Sequence, residues 1–207
     1  MIDYESCRTN LENLSSEFKE LDKSTLNEAN TRFRLIDTPL TDCLNWEKQD
    51  ISCEDRYEGK YTDYILSLFR SVAIVEAKKV GNYFDLPVGK QKLIQPLKSV
   101  YKDNANIKSA IEQVMNYCHE RAIPIGIISN GWQIIAFIAN RTDSIPPLDG
   151  NALVVSSLDR FLNDFKEVWN CLSKNGIETE HLFKKLIGTN EVELPSKLSS
   201  TIYQYPG

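Results

Sequence analysis

The stretches YTDYILSL (residues 61–68) and VAIVEAKK (residues 72–79) decide how this chain folds. Both are rich in β-branched, aliphatic and aromatic residues and only a few residues separate them, so they predict two adjacent strands. Side chains alternate along a strand, which places Glu76 and Lys78 on one face. Asp63 precedes Glu76 by thirteen residues. It lies on the neighbouring predicted strand and can meet both side chains across the sheet.

Two carboxylates and a lysine at the end of a sheet can hold Mg²⁺ and a phosphate group. Mg²⁺ takes oxygen ligands, commonly one or two carboxylates, and leaves its other positions to water and phosphate. Such a metal activates water and polarises a phosphodiester. The lysine stabilises the negative charge that grows in the transition state, or helps to position and deprotonate the water. The pattern therefore indicates phosphodiester hydrolysis, with an exposed ion pair at a strand end as the alternative.

A second group of residues follows this pair of strands. Residues 107–121 carry apolar side chains at the three-to-four spacing of an amphipathic helix. Gln113 and Tyr117 are four residues apart, so they share one face of that helix. An ordinary polar stripe is the alternative for these two side chains. Asn130-Gly131 then lies between two apolar runs, which is a strong hairpin signal.

These elements predict an α/β fold, in which helices flank a central mixed β-sheet and further helices lie at the N- and C-terminal ends. We expect strands at about residues 51–57, 61–68, 72–79, 124–129 and 132–139, with a turn at Arg70-Ser71 between the second and third. Ser157 predicts the start of a helix with an apolar face up to Leu172, and Asn175-Gly176 predicts its end.

At these residues the chain resembles a known family. It looks like the N-terminal nuclease domain of type I restriction enzyme motor subunits, within the PD-(D/E)XK nuclease superfamily. The likeness covers roughly residues 25–140 and rests on the order of its motifs. The matching stretches are Thr62-Asp63-Tyr64, Val75-Glu76-Ala77-Lys78-Lys79, Gln113-x-x-x-Tyr117, Ile127-Ile128-Ser129-Asn130-Gly131 and the segment from Glu28 to Trp46. Thr62 stands where the superfamily's name has proline, a residue that is not a ligand.

The resemblance implies a restriction-endonuclease-like core and an endonuclease that uses Mg²⁺ or Mn²⁺ to cut DNA. Asp63 and Glu76 would bind the metal, helped by the backbone carbonyl of Ala77. Lys78 would be the catalytic lysine.

The resemblance also implies roles for residues on two helices. Gln113 and Tyr117 would steady the active site and the nucleic acid strand. Glu28 would reach the metal from the first helix, directly or through water. For Glu28 the alternative is a capping box, Thr25-x-x-Glu28, in which the glutamate returns to the amide of the helix N-cap.

Composition limits the class of protein. Charged residues make up 26% of the chain and the net charge is −5, as in ordinary globular domains. No apolar stretch has the length of a membrane span and no signal peptide is evident, so we expect a cytoplasmic protein that does not bind membranes. We expect a helical extension at residues 1–24, a nuclease-like domain at 25–187 and a linker or tail at 188–207.

The cysteines bear on metal binding, and the distribution of charge bears on DNA binding. Five scattered cysteines and two histidines predict reduced thiols and no zinc site. Residues 78–108 hold seven lysines and two aspartates, a local charge of +5 that can track a DNA backbone. Solvated lysines are the alternative for that stretch.

Three functions therefore compete for this sequence. The first is a DNA endonuclease in restriction or anti-phage defence, acting with other subunits or domains. The second is a catalytically silent nucleic-acid-binding or regulatory module with the same fold. The third is a structural domain that joins partners.

Overall fold

The computed structural model describes residues 3–19, 36–57, 60–78, 86, 92–131 and 133–187. Within these residues, helices flank a seven-stranded mixed β-sheet, which confirms the predicted fold class. In chain order the strands are β1 (Ile51–Tyr57), β2 (Lys60–Ser67), β3 (Ser71–Ala77), β4 (Ile94–Pro96), β5 (Ile125–Ser129), β6 (Ile134–Ile138) and β7 (Asn151–Val155).

The sheet has the strand order β1-β2-β3-β5-β6-β7-β4. Neighbouring strands run antiparallel except β3 and β5, which are parallel. The predicted pairing of the second and third strands is confirmed, with Tyr64 opposite Val75. The turn between them occupies residues 68–70, slightly earlier than predicted, because Ser71 already pairs with Ser67.

Seven α-helices occur in the described part of the chain. They are α1 (Tyr4–Lys19), α2 (Leu97–Tyr101), α3 (Ala105–Glu120), α4 (Leu158–Asn163), α5 (Phe165–Leu172), α6 (Lys174–Glu178) and α7 (His181–Ile187). A π-helical turn lies at Pro39–Cys43, and 3₁₀ turns lie at Lys48–Asp50 and Pro147–Asp149. None of the described helices has the length and apolar character needed to cross a membrane.

Helix α3 is the predicted helix of residues 107–121, and it begins two residues early. The side chain of Asn104 accepts hydrogen bonds from the backbone N–H groups of Asn106 and Ile107, both at 3.0 Å. This cap satisfies two amides that the first turn leaves without a partner inside the helix. The cap therefore fixes where α3 starts.

The sheet separates two apolar cores. On one face, Ile74 of β3 and Phe137 of β6 pack with Ile111 of α3. On the other face, Leu11 of α1 packs in the same core as Val168 of α5. Helix α1 therefore belongs to the core that covers this second face.

The predicted single helix after Ser157 is wrong in two respects. Ser157 does cap α4, since its hydroxyl accepts from the Arg160 amide at 3.1 Å. The helix then breaks at Asp164, and α5 ends at Leu172. Asn175-Gly176 lies inside α6, because Ser173 starts a new helix by accepting from the Gly176 amide at 3.0 Å.

Candidate active site

Strands β2 and β3 place the two predicted carboxylates directly across from each other. Because Tyr64 pairs with Val75, the same register sets Asp63 opposite Glu76. Lys78 lies just beyond the end of β3, where its N–H donates to the Ser129 carbonyl of β5 at 2.8 Å. This bond continues the strand past its last assigned residue, and it keeps the Lys78 side chain on the face of Glu76.

A closed set of hydrogen bonds joins this strand end to α3. Glu76 Oε1 accepts from Lys78 Nζ at 2.8 Å and from Gln113 Nε2 at 2.8 Å. Lys78 Nζ also donates to Gln113 Oε1 at 2.9 Å, so the three side chains form a triangle. Gln113 Nε2 lies 3.1 Å from Tyr117 Oη and donates to it. The structure thus brings together four of the predicted residues.

Asp63 and Ala77 contact each other in a way that the sequence did not indicate. Asp63 Oδ2 accepts a hydrogen bond from the Ala77 amide at 2.8 Å. The bond orients the Asp63 carboxylate toward the end of β3, where Glu76 lies. A role for the Ala77 carbonyl as a metal ligand stays a prediction. Glu28, the other predicted ligand, lies outside the described residues.

Burial determines the electrostatics of Glu76. Its side chain is 8% exposed and that of Lys78 is 12% exposed. Burial raises the pKa of Glu76, the hydrogen bond and charge of Lys78 oppose that rise, and the nearby Asp63 adds to it. The shift is the expected one for two carboxylates that share a confined site and are only partly neutralised by one lysine.

The second oxygen of Glu76 identifies where a cation would bind. Oε2 is shielded from solvent and has no hydrogen-bond partner in the described part of the chain. A buried polar atom without a partner is costly, and more so when it carries charge. The donor set of Asp63 and Glu76 consists of oxygen alone, which suits Mg²⁺ or Mn²⁺ better than a soft metal. These residues therefore fit the predicted metal.

Gln133 is a residue that the sequence analysis missed. Its Nε2 donates to the carbonyls of Leu86 at 2.9 Å and Ser156 at 3.0 Å, while its Oε1 accepts from the Leu86 amide at 2.8 Å. The bonds fix Leu86, eight residues after Lys78, against the end of the sheet. In the sequence, the sign of such a role is that Gln133 is a polar residue near the start of the apolar run of residues 132–139.

A second contact that the sequence did not indicate connects α3 with the paired strands β1 and β2. Arg121, directly after α3, forms an ion pair with Asp55 of β1 and donates from Nη2 to the Asp55 carbonyl at 3.3 Å. Strand β1 pairs with β2, which carries Asp63. The contact therefore fixes the end of α3 relative to the strand of Asp63.

Fold and site together define an α/β protein with a carboxylate–lysine cluster at the carboxyl end of a sheet strand. Comparisons with protein-family models, with curated proteins and with solved structures found no match.

Proposed function

We propose that this chain is a metal-dependent endonuclease that hydrolyses phosphodiester bonds in DNA. The observation that carries the proposal is the arrangement around Glu76. Asp63 stands opposite it, and Lys78 and Gln113 both donate to its Oε1. Its Oε2 meanwhile lacks a hydrogen-bond partner among the described residues. The arrangement agrees with the PD-(D/E)XK pattern that the sequence resembles.

Each side chain has a separate task in this proposal. Asp63 and Glu76 would hold a Mg²⁺ or Mn²⁺ ion, which would supply an activated water and polarise the scissile phosphate. Lys78 places its ammonium group where negative charge develops on the phosphate oxygens. Gln113 holds the Lys78 ammonium and the Glu76 carboxylate in a fixed geometry, since it bonds to both. Such preorganisation reduces the rearrangement needed during reaction.

The biological setting of this activity is inferred from the resemblance of the sequence to the nuclease family. By that resemblance the enzyme acts in restriction or anti-phage defence, with other subunits or domains of such a system, and its cytoplasmic location stays a prediction from the sequence. A catalytically silent nucleic-acid-binding module with the same fold is the rival, and metal binding without cleavage is the result that distinguishes it.

The experiment compares the parent chain with Asp63→Asn on supercoiled plasmid, linear duplex and single-stranded DNA. Assays contain Mg²⁺, Mn²⁺ or EDTA, and Mn²⁺ binding is measured by calorimetry. Asn retains an acceptor for the Ala77 amide but removes a ligand charge, so cleavage should fall at least about a hundredfold. Asp159→Asn, an exposed carboxylate on α4 paired with Lys19, is the matched control and should cut like the parent.

Thermal melting without metal checks the fold of the variant. Asp63→Asn removes one of two neighbouring negative charges, so it should melt no lower than the parent. Parental cleavage by Asp63→Asn would overturn the site. A parent chain that neither cuts DNA nor binds Mn²⁺ would overturn the function, and metal binding without cleavage would favour the silent module.

A further inference from the structure

A second cluster of metal-ligating side chains lies on the opposite face of the sheet. Glu167 and Cys171 are four residues apart on α5, so they share one face of that helix. His181 is the first residue of α7, which packs against α5. One ligand atom from each of the three lies within 4.8 Å of the other two.

The ligand atoms of this cluster are buried and poorly satisfied. The Cys171 residue is fully buried. Glu167 Oε1 and His181 Nε2 are 3.5 Å apart, shielded from solvent, and neither has a hydrogen-bond partner in the described residues. Lys185 Nζ lies 2.9 Å from Glu167 Oε1 as an ion pair, but it approaches outside hydrogen-bond geometry. Two of the ligand atoms, Glu167 Oε1 and His181 Nε2, thus lack the well-directed hydrogen bonds that buried polar atoms normally make.

Glu167 holds the cationic groups of this cluster together. It forms an ion pair with Lys185 at 2.9 Å and lies 3.5 Å from His181 Nε2. Burial raises the pKa of the Cys171 thiol to about 12, so this group is protonated until a metal displaces its proton.

Contrary to the expectation from sequence spacing that the chain has no zinc site, we propose that Glu167, Cys171 and His181 form a Zn²⁺ site that links α5 to α7. A thiolate, an imidazole and a carboxylate are ligands that Zn²⁺ accepts in tetrahedral sites, with water in the fourth position. Mg²⁺ avoids sulfur and nitrogen, so this site would not compete for the ion of the β-sheet carboxylates. Binding releases the Cys171 proton to solvent. The inference is independent of the proposed nuclease activity.

Lys185 provides an internal test of this assignment. Its ammonium occupies the neighbourhood of Glu167 Oε1 and must move when a dication binds there. Two like charges at such a distance repel each other, so Lys185 weakens the site. Lys185→Met should therefore bind Zn²⁺ several-fold more tightly than the parent. A simple ion-pair cluster, in contrast, would be weakened by that substitution and gain no metal affinity.

The experiment uses Co²⁺ as a spectroscopic substitute for Zn²⁺ on the full chain. The parent should develop a thiolate-to-cobalt charge-transfer band that saturates at one equivalent and is lost when Zn²⁺ is added. Cys171→Ser should lose the band, and His181→Asn and Glu167→Gln should each weaken binding at least about tenfold. The matched controls Cys53→Ser and His119→Asn should keep the band, as should Asp63→Asn.

Melting curves in EDTA establish that each variant is folded before it is compared. Zn²⁺ should raise the melting temperature of the parent but not of Cys171→Ser. The proposal is overturned if the parent shows no charge-transfer band, or if the band survives Cys171→Ser. It is also overturned if the band disappears in Cys53→Ser, because the exposed thiol would then be the ligand.

Discussion

At the scale of single residues, Gln113 connects the two charged side chains at the end of β3. It is the α3 side chain that bonds to both Glu76 and Lys78. Gln113→Ala removes both bonds but leaves the Glu76–Lys78 pair. We expect cleavage to fall about 10–100-fold, the usual cost of losing a residue that orients ligands. Steady-state cleavage rates measure this effect, and Asn116→Ala, an exposed amide on the same helix, should cut at the parental rate. Unchanged cleavage by Gln113→Ala would reduce this residue to part of a polar stripe.

Substitutions of Lys78 test whether the site needs a positive charge at the end of β3 or a group that can also release a proton. Lys78→Met should lower cleavage about 10²–10³-fold and leave most Mn²⁺ affinity intact, since lysine is not a ligand. Lys78→Arg should not restore activity. The guanidinium is planar and larger than the ammonium that fits between Glu76 and Gln113, and it cannot give up its proton. Calorimetric Mn²⁺ titration beside a cleavage assay separates the two effects. Full activity of Lys78→Met would support the ion-pair alternative.

At the scale of elements, Gly126 of β5 sets how closely α3 approaches the sheet. A Cβ atom there would lie 2.7 Å from Phe137 Cζ and 2.8 Å from Val114 Cγ1. Both atoms belong to the core between sheet and helix, so they have little room to move. Gly126→Ala should therefore lower the free energy of unfolding by about 1–3 kcal/mol. It should also weaken cleavage, because α3 carries Gln113.

Chemical denaturation measures the first effect of Gly126→Ala. Ser52→Ala, at an exposed position on the edge strand β1, is the control and should change stability little. If Gly126→Ala is as stable as the parent and cuts as fast, the close approach of α3 is not required.

Local elements were predictable from the sequence, whereas distant pairings were not. Strands β1, β2, β3, β5 and β6 were predicted to within two residues at each end. For β3, β5 and β6 the signal is a short, mostly apolar run bounded by turn residues. Strand β4 was missed because it spans only Ile94–Pro96 and forms by pairing with β7, far along the chain. The break at Asp164 was missed because the apolar spacing continues through it.

The same distinction applies to the site. Asp63 and Glu76 were placed together from a short turn and strand alternation alone. Gln113 lies 37 residues from Glu76, and its contact was expected only from the family resemblance. The bonds of Gln133 to Leu86 span 47 residues, and no periodic pattern predicts a contact of that kind.

Over the whole molecule, the sheet divides the described helices into two layers. The site opens on the layer of α2 and α3. Residues 92–121, which contain these helices, hold five basic and three acidic side chains: Lys92, Lys98, Lys102, Lys108 and Arg121 against Asp103, Glu112 and Glu120. The helices of the other layer carry nearly equal numbers of acidic and basic side chains, so helix charge alone does not distinguish the layers. DNA should approach the molecule from the side of α2 and α3 because the carboxylate–lysine cluster bonds to α3 there.

The position of the site predicts which lysines make DNA binding depend on salt. Lys98 and Lys102 are exposed on or directly after α2. In the Asp63→Asn background, which prevents cutting, Lys98→Ala/Lys102→Ala should weaken binding to all DNA sequences alike. It should also reduce the slope of log affinity against log salt by about two, one for each lost phosphate contact.

Fluorescence anisotropy over a series of salt concentrations measures both quantities. Lys166→Ala/Lys184→Ala removes two exposed lysines from the other layer and should leave the slope unchanged. If both double variants lost the same amount of DNA affinity, DNA would bind through the net charge of the protein rather than through the side of α2 and α3.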